Sequence, residues 1–160
     1  MKKVDFKALL EKNNLVISKI CRVYSNDEEE FQDYFQEVCL QIWKSYDSFR
    51  GNAQLSTWIY RVALNVCLSE LRKEKKRVNT YSLNPDFDQA DEKEDLYHER
   101  AQRLQAAIKT LKKPDRAIIL LYLEDKSYKE MAAILGITTS NIGVKLNRLK
   151  LELKEKLYAG

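Results

Sequence analysis

Residues 127–150, SYKEMAAILGITTSNIGVKLNRLK, leave little room for anything but two short helices meeting at a tight turn. Ser127, with Glu130 three residues on, is a capping box: each side chain takes an amide that the helix itself leaves unpaired. Met131, Ala132, Ile134 and Leu135 form an apolar face at helical spacing. Gly136 stands where a helix that ends in a left-handed residue wants no Cβ. Ile137 plugs the turn, and Thr138 or Thr139 caps the next helix, which turns Ile142, Leu146 and Leu149 inward. Such a helix-turn-helix is either a plain αα-hairpin or a reader whose second helix enters the major groove of DNA. The polar tip, Thr139, Ser140 and Asn141 followed by Lys145 and Arg148, favours the reader. Asn141 suits adenine, and Lys145 or Arg148 suits guanine or phosphate. Gly143 inside this helix costs on the order of 1 kcal/mol relative to Ala. Either it permits close approach to DNA or it is simply tolerated.

The rest of the chain also reads as helical. Only 4 Gly and 2 Pro among 160 residues, with 44% hydrophobic and 32% charged, argue against a turn-rich β fold. Residues 4–24 place Phe6, Leu9, Leu10, Val16, Ile17, Ile20 and Val23 at near-helical spacing, and residues 27–46 do so with Phe31, Tyr34, Phe35, Val38, Ile42 and Trp43. Ser25 or Asn26 is the expected cap of the second helix. YDSFRGNAQ, with Gly51, breaks it, and a third helix runs from about Ser56 to residue 76. Residues 80–93 are acidic and polar and hold Pro85, which marks a linker. Beyond it, Arg100–Leu111 reads as a helix. Lys113-Pro114-Asp115 opens another, which holds Ile118, Ile119, Leu121, Tyr122 and Leu123. The expected architecture is all-α: a helical domain over 1–78, an acidic linker over 79–100 and a second helical domain over 101–160 that ends in the helix-turn-helix.

Charge is distributed in blocks. Residues 1–49 carry net −2, 50–77 net +5, 78–100 net −5 and 101–160 net +6. Two basic blocks separated by an acidic one suit two contacts with a polyanion, or else ordinary solvated helix faces. The N-terminal stretch MKKVDFKALLEK interrupts its apolar residues with charge, and no apolar run is long enough to span a bilayer. A soluble, cytoplasmic protein without membrane insertion is expected. Cys21, Cys39 and Cys67 form no CxxC pair and read as reduced thiols on helix faces. His98 is the only histidine, so no zinc site is expected. There is no His–carboxylate pair, no Gly-rich phosphate loop and no metal-ligand spacing, which argues against an enzyme or a bound cofactor.

The third helix has two faces. Leu55, Ile59, Val62, Ala63 and Val66 share one stripe, and Trp58, Arg61, Asn65 and Arg72 share another. Aromatic, basic and amide groups together can stack on unpaired bases and hold phosphates. The preceding Ser48-Phe49-Arg50-Gly51-Asn52 adds an aromatic, a cation and a flexible backbone. Trp58 taken alone reads more simply as core.

The order of these features resembles the extracytoplasmic-function (ECF) group of bacterial RNA polymerase sigma factors. The resemblance rests on DYFQEVCLQIWKSYDSF, then STWIYRVALNVCLSELRK, then the acidic stretch and the terminal helix-turn-helix, and covers about residues 10–77 and 103–157. It implies that Asp33, Tyr34, Gln36 and Glu37 bind the coiled coil of the polymerase β′ subunit. It implies that Phe49, Arg50 and Asn52 capture a flipped base of the −10 element. Trp58, Arg61 and Asn65 would meet the upstream edge of the melted region, with Arg72, Lys73, Lys75, Lys76 and Arg77 on phosphates. The helix-turn-helix would take the −35 element, part of its domain would meet the β flap, and an anti-sigma protein would be a further partner. Gly143 departs from the resemblance, since a basic residue often stands there, and so do Leu149, Leu151 and Leu153, which interrupt the basic tail.

A second class of function stays open at this point: a stand-alone helix-turn-helix regulator with a helical dimerisation or sensory domain. It accounts for residues 127–150 and the linker but leaves the Asp33–Glu37 surface and the Trp58 stripe without a role.

Overall fold

The computed structural model describes residues 3–49, 54–74 and 95–158. Among the described residues the regular elements are helices: α1 (Lys3–Tyr24), α2 (Glu28–Ser45) with a 3-10 turn at Tyr46–Ser48, α3 (Leu55–Glu74), α4 (Asp95–Lys109), α5 (Lys113–Leu123), α6 (Tyr128–Leu135) and α7 (Thr139–Tyr158). They fall into two compact units, one built on α1–α3 and the other on α4, α5 and α7 with most of α6.

The first unit is a three-helix bundle in which each helix packs on the other two. Phe31, Tyr34, Val38 and Ile42 of α2 recur at helical spacing and are all buried. Leu9, Ile17, Ile20, Cys21 and Tyr24 face them from α1. On α3 the buried residues are Ile59, Tyr60, Ala63, Leu64, Val66 and Cys67, which pack against α1 and α2. Leu55 and Val62, expected inward, are only half-buried, and Tyr60, Leu64 and Cys67 sit inside with the rest.

The cap of α2 is Asp27, not Ser25 or Asn26. Its backbone is extended (φ −148°), and its carboxylate accepts the Glu30 amide at 2.8 Å. Glu30 returns a carboxylate oxygen to the Asn26 amide at 3.2 Å. Ser25 is buried and closes α1 by donating its amide to the Cys21 carbonyl. Glu28, Glu29 and Glu30 then fill the first turn, where the helix dipole favours negative charge. Arg22 clasps this corner: one guanidinium nitrogen lies 2.6 Å from Glu28, and its carbon lies 3.6 Å from the centre of the Phe31 ring.

In the second unit α4 begins at Asp95, inside the stretch expected as linker. Arg116 donates to the carbonyl of Lys109 (2.7 Å), the last residue of α4, and to that of Leu111 (3.2 Å) just beyond it. Pro114 opens α5, whose Ile118, Ile119, Leu120 and Leu121 are all buried. Tyr122 is exposed on one side, and the Lys150 ammonium lies 4.2 Å from its ring centre. The last helix extends well past residue 150, with Ile142, Leu146, Leu149 and Leu153 forming one buried stripe. Leu149 and Leu153, two of the three leucines that interrupt the basic tail, are therefore core residues; Leu151 is exposed. Arg103 donates to the Leu157 carbonyl and Lys156 to the Thr110 hydroxyl, tying α4 to the end of α7.

Candidate nucleic-acid interfaces

The helix-turn-helix is built from short-range signals. The Ser127 hydroxyl accepts the Glu130 amide at 3.1 Å and donates to the Glu130 carboxylate at 3.3 Å. Gly136 has φ +71°, the left-handed conformation that L side chains resist, and its amide closes α6 on the Ala132 carbonyl. Of the two candidate caps of α7, Thr138 holds the position: its hydroxyl accepts the Asn141 amide at 3.1 Å. Met131 and Ile134 of α6 are buried, as is the inner stripe of α7. The tip of α7 is left in solvent.

Thr139, Ser140 and Asn141 are exposed at that tip, Arg148 is exposed two turns on, and Lys145 is half-buried on the flank. Arg148 also reaches back to α5, where a guanidinium nitrogen lies 3.4 Å from the carboxylate of Asp115. Asp115 is 8% exposed, so this contact shields a charge that burial would otherwise leave costly. An alanine Cβ at Gly143 would meet the Tyr128 ring at 3.5 Å, an ordinary contact, so packing inside the unit does not demand a glycine there.

In the first unit Asp33 and Gln36 are exposed together on α2. Glu37 is half-buried beside them and accepts the Gln41 amide at 2.9 Å. Tyr34 does not join this face: it is 2% exposed. The helical period that puts Asp33 and Gln36 outside places Tyr34 with Phe31 and Val38 in the core. A contact to a partner through the Tyr34 side chain is therefore corrected to a packing role.

On α3, Arg61 and Asn65 are exposed on a face separate from the buried one. Trp58 takes a position between the two readings of it, half-buried at the margin of the bundle. Its indole packs on Phe49 with ring centres 5.2 Å apart and edge-on against Tyr46 at 6.1 Å. Arg72 and Lys73 lie on α3, but their side chains are outside the described residues, as are Arg50 and Asn52 altogether. No helix among the described residues is long and apolar enough to cross a membrane. The described residues bring together no group of three His, Cys, Asp or Glu side chains able to hold a metal ion. The three cysteines are free thiols, as their spacing implied.

Comparison with known families accounts for both units. Residues 9–77 match the Sigma-70 region 2 family and residues 101–153 match Sigma-70, region 4. SigM of Mycobacterium tuberculosis, an ECF RNA polymerase sigma factor, is 26% identical over 153 residues, spanning 95% of this chain and 76% of SigM. The chain belongs to the ECF sigma factors.

This sigma factor also aligns with SigG of Mycobacterium tuberculosis at 33% identity over 73 residues. That alignment takes in 46% of this chain and only 20% of SigG. Among solved structures, the sigma factor RpoE of Bartonella quintana, determined with the anti-sigma factor NepR, superposes with a TM-score of 0.73 at 23% identity. It covers 96% of this chain and 97% of that one. The likeness is one of fold. Two residues of the sigma factor escaped sequence reasoning. Tyr46 stands in the 3-10 turn and meets Trp58, and its spacing of three from Phe49 is the one sequence signal for that contact. Val144 is 72% exposed on α7, and a single apolar residue among polar ones gives no signal in helical spacing.

Proposed function

We propose that this protein is a transcription initiation factor that binds core RNA polymerase and directs promoter recognition and melting. The observation that carries the proposal is the occurrence of a region 2 match and a region 4 match, in that order, in one chain. In this reading residues 1–78 are the domain for polymerase and the −10 element, 79–100 a linker, and 101–160 the domain for the −35 element. The exposed acidic and amide groups Asp33, Gln36 and Glu37 suit a basic surface of the β′ subunit. Phe49, Arg50, Asn52, Trp58, Arg61, Asn65, Arg72 and Lys73 take the melted −10 strand. Thr139, Ser140, Asn141, Lys145 and Arg148 take the −35 duplex, and the second domain also meets the β subunit.

The mechanism is binding alone, without covalent chemistry. Unstacking a base costs a few kcal/mol, offset by stacking on aromatic rings and by phosphate contacts. Each DNA contact is weak, and joining the two in one chain makes the second intramolecular. Polymerase sets their spacing, so the free protein binds duplex DNA poorly. An anti-sigma protein is a further proposed partner, supported by the RpoE–NepR complex of the structural relative. The factor acts in the cytoplasm, where polymerase is. The stand-alone regulator is not favoured, because it gives no role to the region 2 match.

The test adds purified protein to core polymerase and a library of genomic fragments and maps the transcripts. Discrete promoter-dependent starts are expected. Their absence, together with tight dimeric binding of the free protein to a duplex operator, would sink the proposal.

A further inference from the structure

Val144 is the exposed apolar residue of α7 that stands among the polar groups at the helix tip; exposed Leu151 and Tyr158 lie further along the helix. Val144 is 72% exposed, yet it is branched at Cβ and apolar. A β-branched side chain at an exposed helical site gives up helix propensity without gaining burial. Successive helical residues turn through about 100°, which sets Val144 directly opposite the buried stripe of Ile142, Leu146, Leu149 and Leu153. Val144 is thus the most outward point of the helix in its turn. Ser140 stands one turn before it and Arg148 one turn after, both exposed, with exposed Asn141 at its side. Lys145, by contrast, is half-buried on the flank, a place that suits a backbone phosphate better than a base edge.

A helix presented to a major groove by its tip meets donors, acceptors and one apolar feature, the C5 methyl of thymine. Ser140, Asn141 and Arg148 can serve the donors and acceptors. Two exposed methyl groups in their midst can serve only the apolar feature. Resting on the reading of α7 as the −35 contact, we propose that Val144 is a specificity-determining residue that selects a thymine in the upstream duplex element through its C5 methyl.

The test uses the full chain assembled with core polymerase, on a promoter recovered from the fragment library. Each thymine of the upstream element is replaced in turn by uracil, which removes only the methyl. Promoter affinity is then measured for the wild type, Val144→Ala and Val144→Thr. One such replacement should weaken the wild type about four-fold, the worth of one buried methyl. Val144→Ala should be weakened by a similar factor and should no longer respond to that uracil. Val144→Thr, which keeps the shape and one methyl, should fall between the two. An upstream element without thymine, a wild type indifferent to every uracil, or a Val144→Ala variant as sensitive as the wild type would each overturn the inference. So would a loss confined to polymerase binding without DNA, because Val144 would then face protein. Failure of the underlying reading looks different: Asn141→Ala and Arg148→Ala would leave promoter affinity unchanged.

Discussion

The indole of Trp58 lies on the ring of Phe49, with centres 5.2 Å apart and planes inclined by 40°. One residue opens α3 and the other follows the turn after α2, so the contact holds the end of that turn on the third helix. Both residues are half-buried, so each keeps a part open to solvent.

Replacing Trp58 with Ala should therefore lower stability by about 1–3 kcal/mol, below the cost of emptying a fully buried aromatic site. The fold should survive in thermal unfolding and circular dichroism. Polymerase binding should persist, while permanganate reactivity of promoter thymines, the mark of melting, should be lost. Wholesale unfolding would show that Trp58 is a core residue.

The two glycines of the helix-turn-helix should respond in opposite senses. Gly136→Ala forces a Cβ into a left-handed backbone and should cost about 1–2 kcal/mol. Gly143→Ala meets no clash and should stabilise by about 0.5–1 kcal/mol. Chemical denaturation of the two variants measures both. If Gly143→Ala stabilises but weakens promoter binding, the glycine serves close approach to DNA.

Asp115 and Arg148 should couple weakly. The pair is long at 3.4 Å, and the Arg148 side chain is 62% exposed, so a double-mutant cycle on stability should give less than about 1 kcal/mol. Arg148→Ala should cost no more stability in an Asp115→Asn background than in the wild type, and the difference between the two backgrounds is that small coupling. Arg148→Ala should also weaken promoter binding, whereas Asp115→Asn should spare it.

The hydrogen bond from Arg22, helped by one from Gln32, holds the Glu28 carboxyl below its usual range. A depressed acid stabilises the fold above its unfolded pKa and loses that contribution as pH falls through the folded value. The stability of the wild type should thus fall on acidification below the ordinary carboxylate range, and Arg22→Ala should flatten that part of the curve. Parallel unfolding curves at each pH from about 6 to 3 bracket the window around the usual glutamate value.

Burial, with a smaller contribution from Cys21, raises the Cys39 thiol above its usual value. At neutral pH it should react with iodoacetamide more slowly than a free thiol. A raised acid favours the fold below its unfolded pKa, and that benefit is lost as pH rises through the folded value. Alkaline unfolding should therefore be delayed in Cys39→Ala relative to the wild type. Equal rates for Cys39 and a peptide thiol would refute the shift.

What could be read from residues in order was whatever depends on neighbours within about one helical turn. The Ser127 cap, the left-handed Gly136 and the inward Ile142, Leu146 and Leu149 are all of that kind and stand as read, while the Glu130 carboxylate takes the Ser127 hydroxyl in place of the amide that a full box requires. The same holds for the exposed pair Asp33 and Gln36 and for the exposed pair Arg61 and Asn65, which follow from helical period alone. Other features depend on which helices meet. Tyr34 is core because its side of α2 is the packed side of the bundle, and α3 buries Tyr60, Leu64 and Cys67 because those sides of it meet α1 and α2. Asp115 acquires its cation from a helix 33 residues further along, and Trp58 acquires Phe49 and Tyr46 across a turn. Hydrogen bonds to the backbone act within a few residues and leave their mark on spacing. Burial and long-range ion pairs are set by the packing of whole faces, and a linear pattern carries no record of which face meets which.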